Sequence, residues 1–257
     1  MSRKAVQFAG PARVADRRRG KGDQVTQHIR LIEVKEDILS DNIKLAGELR
    51  ERLRGTGTML LNVMSSPGSG KTSLILRTIE ALKGSLRIGV IEADIDSTVD
   101  ADKVAARGIP AVQLRTGGFC HLDAAMVARG VDALDAGGLD LVIIENVGNL
   151  VCPAEFDTGA HRNAMILSVP EGDDKPLKYP LMFSVCDILV VNKTDYLPLS
   201  DFDMAALRRR VLALNPRIGI IEVSCKTGEG IGGWIDWLKK ESAAFGLSPS
   251  QTGCPVV

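Results

Sequence analysis

The apolar run Leu60-Leu61-Asn62-Val63-Met64 leads into Ser65-Ser66-Pro67-Gly68-Ser69-Gly70-Lys71-Thr72-Ser73, and a helical pattern follows over residues 71–83. A strand, a glycine-containing loop and a helix N-terminus in that order let backbone amides surround phosphate oxygens, and they confine the chain to α/β folds of one type. Gly68 and Gly70 allow the loop N–H groups to turn inward, and the helix N-terminus adds positive potential. The pattern predicts nucleotide contacts from Ser66 through Ser73. Lys71 is the expected catalytic cation at the terminal phosphates, and Thr72 an expected Mg²⁺ ligand. Ser65 stands where the usual pattern has its first glycine. A plain glycine-rich helix cap is the bland alternative, and the Lys71-Thr72 pair argues against it.

The rest of the chain agrees with that start. Short β-rich runs occur at Leu60–Met64, Arg87–Ile91, Ala111–Leu114, Leu141–Glu145, Met165–Val169, Ile188–Val191 and Ile218–Val223, with helical patterns near 71–83, 122–136, 201–214 and 230–244. Strands that are apolar throughout and alternate with helices predict an α/β P-loop NTPase fold. Its mostly parallel sheet of about seven strands is flanked by helices on both faces. Right-handed crossovers then gather the loops after the strands along one sheet edge. An amphipathic helix at about 37–54 precedes this domain, with Leu39, Ile43, Ala46, Leu49 and Leu53 on one face. The expected division is a flexible basic tail over 1–27, a helical extension over 28–57, the nucleotide-hydrolysing α/β domain over 58–246 and a frayed tail over 247–257.

Composition narrows the partners. Among 257 residues, 32 Lys and Arg balance 32 Asp and Glu, which argues against bulk electrostatic binding to nucleic acid or to an anionic membrane. No stretch is apolar enough to span a bilayer, and the polar N-terminus has no signal-peptide core. The five cysteines therefore read as reduced cytoplasmic thiols rather than a disulfide framework.

A second motif selects the base. The strand Ile188–Val191 ends in Asn192-Lys193-Thr194-Asp195, the NKxD pattern. The Asp195 carboxylate can accept two hydrogen bonds from the guanine N1–H and N2–H₂ edge, whereas adenine offers no such pair. The Lys193 stem can lie over the base, and Ser224-Cys225-Lys226 resembles the loop that supports guanine. GTP and GDP are the expected ligands. Asp94 ends the strand of Val90-Ile91-Glu92-Ala93-Asp94 and is the expected partner of Mg²⁺ or of the attacking water. Glu145-Asn146-Val147-Gly148 resembles a DxxG switch with Glu for Asp, in which the Gly148 N–H would sense the γ-phosphate. No glutamine or arginine finger is assignable, so slow intrinsic hydrolysis is expected.

A third cluster has different chemistry. Cys120-His121 lies between a strand and a helix, and Cys152 follows Gly148 by four residues. Thiolate and imidazole suit Zn²⁺, Ni²⁺ or copper ions over Mg²⁺ or Ca²⁺. Three ligands leave a tetrahedral shell one short, which makes a site shared across a symmetric dimer plausible. Asp123 is a candidate support for the imidazole. His161 reads as a core-edge histidine, Cys186 as core, Cys225 as part of the base loop and Cys254 as part of the tail.

Together SSPGSGKTS, VIEADID, TGGFCHLDA, ENVGNLVCPAEFDTG, EGDDKPLKYP and VVNKTD resemble the HypB family of GTPases, which insert nickel during maturation of nickel–iron hydrogenases. The resemblance covers about residues 30–245. It implies a homodimer favoured by GTP, with Cys120, His121 and Cys152 matching the Ni²⁺ or Zn²⁺ site. It also implies transfer of metal toward the hydrogenase large subunit precursor with a small zinc-containing accessory protein. Many members carry an N-terminal CxxCGC or a histidine-rich stretch. This chain has no cysteine before Cys120 and only His28 before His121, so neither nickel storage nor an N-terminal nickel site is expected. Three alternatives remain: a urease-type nickel GTPase, a P-loop kinase, and a scaffold with a decayed nucleotide site. The urease-type family carries Cys-Pro-His, where this chain has Cys120-His121 directly.

Overall fold

The computed structural model describes residues 34–94 and 103–245. The two tails and Cys254 lie outside the described residues, as does His28. The expected parallel sheet is present. β1 (Met59–Ser65), β2 (Ile88–Asp94), β3 (Ala111–Arg115), β4 (Leu141–Glu145), β5 (Arg162–Ser168), β6 (Ile188–Asn192) and β7 (Gly219–Glu222) form one sheet in the order β3-β2-β4-β1-β5-β6-β7. All six strand pairings are parallel. β1 is buried along its whole length, as a strand covered on both faces must be.

Helices cover both faces. α1 (Val34–Gly55), α2 (Lys71–Leu82) and α3 (Ala124–Ala133) precede the short helices α4 (Cys152–Glu155), α5 (Lys175–Lys178) and α6 (Pro180–Val185). α7 (Met204–Leu214) and α8 (Ile231–Ala243) follow among the described residues. One core packs Leu74, Ile75 and Ile79 of α2 and Trp234 and Leu238 of α8 against Leu61, Val63, Ile143 and Ile166. On the other face, Leu49 and Leu53 of α1 and Val127 and Val131 of α3 pack on Leu60, Ile91 and Ile144. A third cluster places Phe183 and Leu207 over Met64, Met165 and Leu189. The sparse aromatics leave aliphatic side chains to do nearly all of this filling.

The α1 helix corrects one expectation. Ala46, Leu49 and Leu53 are buried, but Ile43 is 63% exposed and Asn42 takes the inward position instead. Its amide nitrogen donates to the Asp157 carbonyl at 2.9 Å, and its Oδ1 accepts from the Ala124 N–H at 2.8 Å. A buried polar side chain is tolerated when both ends are paired, and both partners come from distant loops. The bounds of β5 also move: it begins at Arg162 rather than Met165 and ends at Ser168, where Val169 opens a 3-10 turn, while β2 ends at Asp94 as the Val90–Asp94 run implies.

Candidate nucleotide and metal sites

The loop after β1 curls over the start of α2 with Gly68 at φ +75° and Gly70 at φ +104°. Lys71 Nζ donates to Ser65 Oγ at 3.1 Å, so the serine at the unusual first position tethers the lysine. Ser69 Oγ contacts the Ser66 carbonyl at 2.9 Å and Glu171 Oε2 at 2.7 Å. Glu171 also receives the Ser168 amide and hydroxyl, each at 2.8 Å. Burial pushes the Glu171 carboxyl up, but hydrogen bonds from Ser66, Ser168 and Ser69 outweigh this and hold its pKa below the ordinary value.

A cleft of about 560 Å³ opens beside this loop, within the usual range for small-ligand sites. Pro67, Gly68, Gly70, Lys71, Thr72 and Ser73 line one wall. Glu92, Ala93, Asp94, Lys103, Gln113 and residues 145–148 line the other. Asp94 thus lines the cleft. It is Glu145, however, that accepts the Thr72 hydroxyl, at 2.9 Å. Glu145 and Glu92 are in register on β4 and β2, as are Glu92 and Gln113 on β2 and β3, so the three side chains project from one sheet face. Gln113 Nε2 is buried with no hydrogen-bond partner among the described residues. Sequence reasoning passed over Glu92 and Gln113 because both lie inside otherwise apolar strands. A charged residue in such a run was the available signal for Glu92. Gly148 abuts the phosphate loop: a Cβ there would stand 3.0 Å from the Pro67 backbone nitrogen.

The base-recognition loops converge on the same edge. Asn192 Nδ2 donates to the Ser69 carbonyl at 2.8 Å, and its Oδ1 accepts from the Cys225 N–H at 3.1 Å. This asparagine braces the phosphate loop against the loop after β7. Lys193, at φ +62°, donates to the Gly68 carbonyl at 2.7 Å. Asp195 Oδ1 accepts the Ser224 hydroxyl at 2.7 Å, and Lys226 Nζ lies 3.9 Å from Asp195 Oδ2. Arg77 of α2, absent from the motif reading, donates to the Cys225 carbonyl at 2.9 Å and the Lys226 carbonyl at 3.3 Å. Cys225 itself is buried, and that burial pushes its thiol up to about 11.

The thiol–imidazole cluster also assembles. Ligand atoms of Cys120, His121 and Cys152 all lie within 4.8 Å of one another, with the two sulfurs 3.0 Å apart and Cys120 Sγ 4.0 Å from His121 Nδ1. This donor set fits a borderline ion such as Ni²⁺ or Zn²⁺. Two thiolates at about 2.3 Å on one tetrahedral ion sit about 3.8 Å apart, so loading requires the sulfurs to separate by about 0.8 Å. The hydrogen bond with Cys120 and, less strongly, burial raise the Cys152 thiol, while a hydrogen bond from Asn149 opposes them. His121 stacks on Phe156 with ring centres 3.8 Å apart, and burial lowers its pKa against the pull of Asp123 and Glu155. That lowering favours the neutral ring that binds metals. The Asp123 carboxylate is committed to capping α3, accepting from the Met126 N–H at 2.7 Å, and acts on His121 only through its charge. His161 is buried at the edge of the core: Nδ1 accepts from the Leu60 N–H at 3.0 Å, and Nε2 lies 3.1 Å from the Arg50 carbonyl. Cys186 is buried as expected.

A parallel sheet with a phosphate loop, an NKxD base loop and a strand-end switch defines the GTP-binding class of P-loop proteins. Residues 59–222 match the family model described as CobW/HypB/UreG, nucleotide-binding domain. The chain is 48% identical over 217 residues to the hydrogenase maturation factor HypB of Azotobacter chroococcum, covering 84% of this chain and 70% of that protein. Among solved structures, HypB of Archaeoglobus fulgidus is 41% identical with a TM-score of 0.75, covering 79% of this chain and all of that one. HypB of Helicobacter pylori in complex with nickel is 36% identical with a TM-score of 0.75, covering 82% and 99%. The chain belongs to the HypB family of hydrogenase maturation factors, as the sequence motifs imply.

Proposed function

We propose that this chain is a GTP-hydrolysing nickel metallochaperone that assists metal insertion into the large subunit precursor of a nickel–iron hydrogenase. One observation carries the reading: the segment from Glu145 to Cys152 lines the nucleotide cleft at one end and holds a thiol of the metal cluster at the other. A nucleotide-binding kinase has no need of that cluster, and a metal scaffold has no need of the intact Lys71-Thr72 pair. The relative solved with nickel supports Ni²⁺ as the cargo; Zn²⁺ satisfies the same donors.

In the proposed cycle, Asp195 selects guanine while Ser224 and Lys226 orient its carboxylate. The phosphate-loop amides and Lys71 hold the phosphates. Thr72 with Glu145 and Asp94 would hold Mg²⁺, which neutralises charge developing on the phosphates when it is bound. Gly148, which lines the cleft beside Pro67, would sense the γ-phosphate through its N–H. Cys120, His121 and Cys152 would take the metal. The set of three ligands among the described residues, and the exposed Phe119 and Val151 beside the cluster, favour closure by a second copy of the chain. The accessory protein and the precursor enzyme are the proposed onward partners, in the cytoplasm. Among the described residues no helix is long and apolar enough to cross a membrane.

The test is a comparison of the native chain with Cys120→Ala. The native chain is expected to hydrolyse GTP in preference to ATP, bind Ni²⁺ and show a dimer mass with metal and GTP. The variant should keep nucleotide binding and lose at least about a hundredfold in Ni²⁺ affinity. Unchanged Ni²⁺ binding and dimerisation in the variant would refute the metal assignment.

A further inference from the structure

We propose that Asn149 is the positioning residue that transmits the state of the nucleotide switch to both metal-bearing loops. The inference rests on the nucleotide and metal assignments above and names the side chain that joins them. Val147 is anchored in the core beneath α1 and α3, and Leu150 in the separate core beneath α6 and α7. Gly148 and Asn149 span the gap between these anchors, both half-buried. Gly148 lies against the Pro67 backbone, so a change in the phosphate loop or its ligand reaches this pair first. Asn149 then touches both metal loops. Its Oδ1 accepts from the Val151 N–H at 2.9 Å, fixing the turn into Cys152, and its Nδ2 points to the Cys120 carbonyl at 3.4 Å.

The geometry of a carboxamide makes this a lever. Its oxygen and nitrogen are held in one plane, so anchoring Oδ1 on the Val151 amide fixes the direction of Nδ2. The Cα atoms of Gly148 and Asn149 are about 3.8 Å apart across a rigid peptide, so a shift of Gly148 carries Asn149 with it. At 3.4 Å the Cys120 contact is long. Closing it to the usual length of about 2.9 Å takes about 0.5 Å of travel. The sulfurs must separate by about 0.8 Å to admit a tetrahedral ion. The two displacements are of similar size, so a sub-ångström change at the switch suffices to favour or oppose the loaded geometry.

The test measures Ni²⁺ affinity by competition with a chromophoric chelator. The native chain, Asn149→Ala and Asn149→Asp are each saturated with GDP or with a non-hydrolysable GTP analogue. Asn149→Asp keeps an acceptor for Val151 but turns an oxygen toward the Cys120 carbonyl, so it breaks one half of the lever. The native chain should show at least about a fivefold difference in Ni²⁺ affinity between the two nucleotide states. Both variants should fall within twofold of no difference while GDP affinity stays within twofold of native. A native-sized difference in both variants overturns the proposal alone, as does an equal loss of Ni²⁺ affinity in both states with the ratio intact. Equal affinities in the native chain overturn the proposal together with the linkage it serves, and failure of the native chain to bind GTP or Ni²⁺ identifies an error in the underlying reading.

Discussion

Gly70→Ala tests the junction between the phosphate loop and the base loop. Gly70 sits at φ +104° and ψ 31°, where a side chain costs about 1–3 kcal/mol. A Cβ there would also collide with the Asn192 carboxamide nitrogen. Asn192 has to move, and it gives up its 2.8 Å bond to the Ser69 carbonyl. Leaving that buried carbonyl unpaired adds about 1–3 kcal/mol. The sum is about 2–6 kcal/mol. For a domain of this size each kcal/mol lowers Tm by about 2–4 °C, so Tm should fall by roughly 4–24 °C. Scanning calorimetry on the native chain, Gly70→Ala, Asn192→Ala and the double variant separates the two contributions. With Asn192 truncated, the glycine substitution should cost only its backbone share. An identical cost in both backgrounds would refute the collision argument, and a Tm shift below about 2 °C would refute both contributions.

Arg77→Ala should weaken GDP binding about tenfold, because two carbonyls of the base loop lose their brace, and should narrow the preference for GDP over ADP; nucleotide titration checks both. Glu145→Gln retains an acceptor for the Thr72 hydroxyl and removes a charge, so the Mg²⁺ concentration supporting half-maximal hydrolysis should rise at least tenfold. If Asp94→Asn shows that rise and Glu145→Gln does not, Asp94 is the principal support of the ion. Burial holds the His161 pKa down to about 4, against 6.5 for a free imidazole. The unfolded chain therefore binds more protons between those values. Stability present above pH 6.5 should decline by about 3 kcal/mol as pH falls to 4, and His161→Asn, which can still accept from Leu60, should flatten that decline in denaturant titrations.

The motifs were legible where chemistry is compact in the sequence. Ser65–Thr72 and Asn192–Asp195 each place several functional atoms within one turn of chain, so spacing alone exposed them. The Cys120, His121 and Cys152 grouping was legible because thiol and imidazole are scarce in this chain. What remained hidden depended on partners far away in sequence. Helical periodicity favoured Ile43 over Asn42 because it ranks residues by polarity and cannot register the carbonyl of Asp157 or the amide of Ala124. Asp94 and Glu145 both end strands, and the sequence assigns Glu145 to the switch pattern; only the adjacency of β4 and β1 brings it to Thr72. Gln113 and Arg77 carried no motif at all. Their significance comes from the strand register and from the packing of α2.

The strand order explains how one chain can hold the proposed nucleotide and metal sites side by side. β1, β6 and β7 end in the phosphate-loop, NKxD and Ser224 segments, while β3 and β4 lead to the loops bearing Cys120 and Cys152. β4 is hydrogen-bonded directly to β1, so the switch loop emerges at the border between the two halves. Gln113 precedes Cys120 by seven residues and Glu145 precedes Cys152 by seven, and both lie in register with Glu92 between them. The two metal loops therefore start from one row of polar residues on the floor of the nucleotide cleft. A rigid parallel sheet resists sliding of one strand past its neighbour. The proposed nucleotide-dependent movement therefore belongs to the loops beyond the strand ends, where the half-buried Gly148 and Asn149 lie between two well-packed anchors.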